Sequence, residues 1–265
     1  MIAAESLKDA LRGGSRPVGC WIFLTGGDST ELLSHLGFDF FIVDHEHTLV
    51  TSRDLIHQMR AARGGGVPCL VRVPSHDPVP IKRALDAGIE GIVVPTVETA
   101  EQARAIVAAC RYRPHGGNRG VGYPESRAAD WGVAELEYPR TYRDRLLVAV
   151  IVETRLGVEN VEAIAAVEGI DVIIPGTGDL LADIVPDFDK LGGYGGYRSP
   201  ELDALVERIE LAARRHSKWL CGVNRTAGGA KAMLDRGYDM VTATADNWLL
   251  MDAARHVMAE LGRKA

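Results

Sequence analysis

Leu146-Leu147-Val148-Ala149-Val150-Ile151-Val152-Glu153 is a continuous apolar run closed by a carboxylate. A strand with one wet face alternates apolar and polar residues, whereas a strand covered on both faces does not. This run therefore reads as an interior strand of a parallel sheet. A second run, Asp171-Val172-Ile173-Ile174-Pro175-Gly176-Thr177-Gly178-Asp179, also ends in an acid, 26 positions after Glu153 (153 to 179). A carboxylate at the end of a buried strand is costly unless positive charge sits beside it. Two from neighbouring strands can share a hard divalent cation, which prefers oxygen ligands. Phe38-Asp39-Phe40-Phe41-Ile42-Val43-Asp44-His45-Glu46-His47 adds titratable groups at a third strand end, and Leu70-Val71-Arg72 adds a guanidinium at a fourth.

Similar runs recur along the chain. Strands are predicted at Val18–Leu24, Phe38–Asp44, Val67–Val73, Gly91–Pro95, Leu146–Glu153, Val172–Pro175, Trp219–Asn224 and Met240–Ala245. Helical patterns lie between them, at Ser29–Leu36, Ser52–Arg63, Pro78–Ala87, Thr99–Cys110, Val158–Val167, Pro200–His216, Ala227–Arg236 and Asn247–Leu261. Gly37, Gly88, Gly169 and Gly237 follow helices, where a left-handed residue is wanted. Asp77 before Pro78 is a good N-cap. Eight strand–helix units in 265 residues predict one (β/α)₈ barrel domain, 1–265. One connection, Tyr112 to Arg145, exceeds the usual loop length and is rich in Pro, Gly and Arg. Loops this long usually serve function or contacts. It leaves a helix at the barrel's lower face, so a functional role there would be toward a neighbouring subunit.

The net charge of −6 and the lack of a basic block argue against a nucleic-acid partner. The longest apolar strand run is far too short to span a bilayer, and the first residues carry acids with no signal-like apolar stretch. Four widely spaced cysteines, Cys20, Cys69, Cys110 and Cys221, read as reduced core residues of a cytoplasmic protein.

Barrel enzymes place their chemistry at the C-terminal ends of strands. Those ends carry Asp44, Glu46, His47, Arg72, Glu153 and Asp179. Asn224 and Asp246 end strands seven and eight, where both read as ordinary helix caps. The six lysines, Lys8, Lys82, Lys190, Lys218, Lys231 and Lys264, all fall in helices, loops or the tail. A Schiff-base aldolase needs a lysine projecting into the barrel, so that mechanism is excluded. Asp86 closes a helix, where an acid opposes the helix dipole, which points to a paired role.

Over almost its whole length the chain resembles the HpcH/HpaI family of metal-dependent pyruvate aldolases. The resemblance rests on Gly19-Cys20-Trp21, Gly37-Phe38-Asp39, Asp44-His45-Glu46-His47, Val71-Arg72-Val73-Pro74 and Ile81-Lys82-Arg83-Ala84-Leu85-Asp86-Ala87-Gly88. It rests further on Arg111-Tyr112-Arg113-Pro114, Asn118-Arg119-Gly120-Val121-Gly122, Val152-Glu153-Thr154, Gly176-Thr177-Gly178-Asp179-Leu180 and the spacing of the two acids. It implies that Glu153 and Asp179 hold a divalent metal, Mg²⁺ or Mn²⁺ with Co²⁺ also admitted. A 2-oxo acid such as pyruvate would chelate that metal. Arg72 would stabilise the enolate formed when a 4-hydroxy-2-oxo acid is cleaved to an aldehyde. His47, oriented by Asp86, would move protons, with Asp44 and Glu46 supporting it. Backbone amides around Gly178 and Asp179 would take the substrate carboxylate. The resemblance also implies a homo-oligomer, a hexamer.

Three departures bear on the reaction. The family usually has Gln where this chain has Ile151. Its Gly-Pro-x-Asp turn is Gly176-Thr177-Gly178-Asp179 here. Its glycines after the first Asp and after Glu-His are His45 and Thr48. A decarboxylase, a lyase acting on a CoA thioester, and a barrel that binds metal without catalysis therefore stand as alternatives to the aldolase.

Overall fold

The computed structural model describes residues 5–185 and 199–263. Lys190 and Lys264, named above, lie outside the described residues. Eight parallel strands close into a barrel in chain order. They are β1 (Val18–Ile22), β2 (Phe40–Asp44), β3 (Cys69–Arg72), β4 (Gly91–Val94), β5 (Leu147–Val152), β6 (Val172–Pro175), β7 (Trp219–Val223) and β8 (Met240–Ala245). The helices are α1 (Leu7–Arg12), α2 (Asp28–Ser34), α3 (Ser52–Gly64), α4 (Pro78–Asp86), α5 (Ala100–Cys110) and α6 (Tyr138–Arg145). They continue with α7 (Arg155–Glu159), α8 (Val161–Ala165), α9 (Thr177–Ile184), α10 (Pro200–Arg215), α11 (Ala227–Asp235) and α12 (Asp246–Glu260).

The strands are apolar on both faces because both faces are covered. On β5, Leu147, Ala149 and Ile151 fill the barrel interior, while Val148, Val150 and Val152 pack beneath the helices. This alternation carries to the strand ends, since successive side chains on a strand point to opposite faces. The predicted helix starts and stops recur. Asp77 caps α4 by accepting from Val79 N at 2.7 Å, and Gly37, Gly88, Gly169 and Gly237 take positive φ.

Helices α1, α6 and α9 were not expected from the sequence, and one expected helix differs. Helix α1 closes the lower mouth of the barrel with Leu7 and Leu11, which join the interior set. The helix predicted after β5 begins earlier and is split into α7 and α8 at Asn160. Helix α9 follows β6 directly and carries Asp179 in its first turn. The Tyr112–Arg145 connection holds three short 3₁₀ turns and α6. They are wrapped around Arg119, whose side chain is fully buried and lies 4.7 Å from the Tyr112 ring.

Helix α12 buries no apolar residue. Of its residues only Asp246 is buried, and Leu250, Met251 and Val257 are exposed.

Candidate active site

The inward positions of β2 and β3 end in Asp44 and Arg72, and the strand register sets them opposite one another. Arg72 Nε donates to Asp44 Oδ1 at 2.6 Å, and Nη1 stands 3.1 Å from Glu46 Oε2. The guanidinium also lies over Trp21 from β1, 4.7 Å from the ring centroid. Asp44 is fully buried. Besides Arg72 it accepts from the N–H groups of Glu46, at 3.1 Å, and His47, at 3.0 Å. That turn folds the chain after β2 back over the barrel mouth. It leaves the His47 ring more than half exposed, with Nε2 3.5 Å from Glu46 Oε2.

Across the mouth, β5 and β6 pair from Ala149 opposite Val172 to Val152 opposite Pro175. This register brings Glu153 against Gly176. A Cβ on residue 176 would fall 2.6 Å from Glu153 Oε2, so only glycine admits the carboxylate there. Asp179 follows in the first turn of α9, where backbone N–H groups have no partner within the helix. Glu46, His47, Thr96, Glu153 and Asp179 line one cavity of about 370 Å³. Burial pushes the Glu153 carboxyl above its ordinary range, and the charges of Asp179 and Glu46 push the same way against hydrogen bonds from Thr96. Glu46 is also raised, first by burial, with Arg72 opposing and Asp44 and Asp179 adding to it.

Crowded carboxylates that raise one another's affinity for protons are a donor set that welcomes a hard cation. Glu46 Oε2 supports this. It is buried and lacks a hydrogen bond, its approach to Arg72 Nη1 being close but not aligned. Among the described residues no group of three or more His, Cys, Asp or Glu is arranged to hold a metal by itself. Glu153 and Asp179 instead present two carboxylates to the same cavity.

Other predicted residues fall differently. Asp86 does not reach His47 within the chain. It ends α4, and a helix C-terminus lies at the end of the barrel where strands begin, opposite the cavity. There Asp86 accepts from Arg119 Nη2 at 2.7 Å. Ile151 is buried inside the barrel one inward position before Glu153. Asp246 and Asn224 are not the helix caps expected of them. The buried Asp246 accepts from Phe23 N at 2.9 Å, Leu24 N at 3.1 Å and Ser29 Oγ at 3.2 Å, tying down the loop after β1. Asn224 accepts from Thr226 N at 3.0 Å, and Thr226 itself caps α11. Lys8 pairs with Asp171, and Lys218 donates to the Val167 and Ile170 carbonyls, all at the barrel base. Thr96 was missed: nothing in its sequence surroundings marks it, yet its N–H and hydroxyl both donate to Glu153 Oε1, at 2.6 and 3.1 Å.

The four cysteines are free and buried. Among the described residues no helix is long and apolar enough to cross a membrane.

Comparison with known proteins bears on the family and the fold. The chain is 36% identical to the hydroxypyruvate/pyruvate aldolase of Chromohalobacter salexigens over 255 residues, covering 95% of each chain. It is 34% identical to the 4-hydroxy-2-oxo-heptane-1,7-dioate aldolase of Escherichia coli, covering 98% of this chain and 96% of the other. Among solved structures, an HpcH/HpaI aldolase/citrate lyase family protein of Burkholderia cenocepacia superposes with a TM-score of 0.87 at 32% identity, over 97% of this chain and 99% of that one. Residues 17–253 match the sequence pattern of the HpcH/HpaI aldolase/citrate lyase family, and the chain belongs to that family.

Proposed function

We propose that this protein is a divalent-metal-dependent aldolase that cleaves or forms 4-hydroxy-2-oxo acids through a pyruvate-type enolate. The observation that carries this reading is the pair Glu153, just after β5, and Asp179, in the first turn of α9, which line a cavity shared with Glu46 and His47. Glu153 and Asp179 would hold Mg²⁺ or Mn²⁺, and Co²⁺ would substitute. When bound, the metal supplies Lewis acidity that lowers the cost of negative charge on a carbonyl oxygen.

The chain's own residues would do the rest. With Nε bonded to Asp44 and Nη1 3.1 Å from Glu46, Arg72 would offer Nη2 to a substrate oxygen. A planar fork held on two acids and a ring is a donor already aimed when charge develops. The open N–H groups at Gly178 and Asp179 favour a substrate carboxylate, since the N-terminus of a helix attracts anions. His47, exposed at the mouth, would exchange protons with the acceptor hydroxyl. The small-molecule partners are thus a 2-oxo acid and an aldehyde.

A homo-oligomer fits two features. Asp86 can orient His47 only from a second copy of the chain, and α12 carries exposed apolar residues. A hexamer, as the family resemblance implies, is the state proposed. Four buried free cysteines fit a reducing, cytoplasmic setting.

One observation favours a second reading. Ile151 puts an apolar side chain where the family usually has a glutamine, which suits a decarboxylase or an acyl-CoA lyase on the same site. The test is pyruvate release from 4-hydroxy-2-oxo acids with and without EDTA, run beside decarboxylation of 2-oxo diacids and cleavage of CoA thioesters. Metal-dependent pyruvate release is expected. Activity on a CoA thioester alone would overturn the aldolase assignment.

A further inference from the structure

Four described residues other than glycine take a left-handed φ, and one of them, Thr96 at +51°, lines the cavity. A β-branched residue rarely adopts that conformation, because its Cβ substituents crowd the backbone. Such outliers persist where the surroundings impose them, most often at functional sites.

The surroundings of Thr96 are explicit. Val94, the last residue of β4, pairs with Val150 of β5. Val97 N–H still donates to Ile151 O at 3.1 Å. Pro95 and Thr96 are therefore looped out between two points where the strands remain joined. Proline has no N–H to contribute, and the left-handed turn points the N–H of Thr96 inward. That N–H and the Thr96 hydroxyl both donate to Oε1 of Glu153, at 2.6 and 3.1 Å. The other oxygen, Oε2, occupies space that a side chain at residue 176 would need, which glycine leaves open.

We infer that Thr96 is a positioning residue: by engaging Oε1 with two donors it presents Oε2 as the one Glu153 oxygen for a divalent cation. Ligation through one oxygen leaves more positions on the cation for water and a chelating 2-oxo acid than ligation through two. The inference rests on the reading that Glu153 holds a metal. It explains why a conformation unfavourable for threonine is kept at the cavity edge.

The test is Mn²⁺ titration of the metal-free protein by calorimetry, with unbound Mn²⁺ counted by electron paramagnetic resonance. Thr96→Val keeps the shape and the backbone N–H and removes only the hydroxyl, and Thr96→Ala serves if the valine variant folds poorly. Partners that orient a metal ligand typically contribute tenfold or more to affinity. Both variants should bind Mn²⁺ about tenfold more weakly, with the melting temperature of the metal-free protein little changed, and Thr96→Ser should stay within about twofold of the unaltered chain. Unchanged affinity in the valine or alanine variant, or a serine variant as weak as they are, would overturn the role of Thr96 while leaving the metal site standing. An unaltered chain that takes up no Mn²⁺ would overturn the metal reading and this inference together.

Discussion

Replacing Arg72 by lysine preserves the charge and removes the geometry, so it asks whether Arg72 acts through its fork. The guanidinium meets Asp44 at 2.6 Å, Glu46 at 3.1 Å and the Trp21 ring at 4.7 Å, and it is largely buried. An ammonium can face one of the two acids but cannot reproduce the pair. Either the hydrogen bond to Asp44 or the ion pair with Glu46 would be lost, at about 1.5–3 kcal/mol if it is the hydrogen bond. The ring contact would weaken by about 0.5–1 kcal/mol. Asp44 would keep a nearby cation, so the larger penalty of an abandoned buried charge, about 3–5 kcal/mol, would not apply. The expected loss of stability is therefore about 2–4 kcal/mol, which for a domain of this size lowers the melting temperature by about 5–15 °C. Turnover should fall further than stability explains. Removing a donor aimed at a developing oxyanion costs about a hundredfold or more in rate. Thermal unfolding and pyruvate release at saturating Mn²⁺ measure the two effects separately. A lysine variant that melts within about 2 °C of the parent and turns over at near-native rate would show that Arg72 merely balances the acids of the rim.

Three further outcomes are expected. Glu153→Gln should stabilise the metal-free protein at neutral pH and abolish Mn²⁺ binding. The folded protein holds the Glu153 proton more tightly than the ordinary value of 4.5, so the favourable contribution of the protonated acid is present below that value and lost as pH rises through the raised one. The gain from glutamine should therefore vanish near pH 4, and an equal gain at pH 4 and pH 7 in EDTA would contradict it. Ile151→Gln should tighten oxamate binding while costing about 1–3 kcal/mol of stability through burial of an amide. Weaker oxamate binding would mark a site shaped for another ligand and favour the decarboxylase or acyl-CoA readings. Borohydride with pyruvate should leave activity intact whereas EDTA removes it, and a reduced lysine adduct seen by mass spectrometry would refute a metal-based reaction.

Much of the candidate site was legible because it follows from one strand at a time. Asp44, Arg72 and Glu153 occupy the inward phase of apolar runs, and a period of two carries each to the barrel mouth without knowledge of its neighbours. The carboxylates stand where a strand-end reading puts them, and so does the absence of a lysine from the described strand ends. Helix α9 was hidden because Gly176 and Gly178 open it and it is only eight residues long. Its apolar residues Leu180, Leu181 and Ile184 were the available signal.

Other features had no local signal at all. Thr96 violates the preference of its own residue type, and only the register of β4 against β5 reveals why. Asp246 looks like a cap for its own helix, yet it serves the loop after β1, which lies beside it only once the barrel closes. Asp86 and His47 carry matching chemistry, but α4 sets them at opposite ends of the molecule. The class of fold, the strands and the inward-facing acids follow from the sequence, because a short run that is apolar on both faces must be covered on both faces. Which groups meet depends on the closed barrel, because hydrogen bonds and charge pairs are set by distances between segments far apart in the chain.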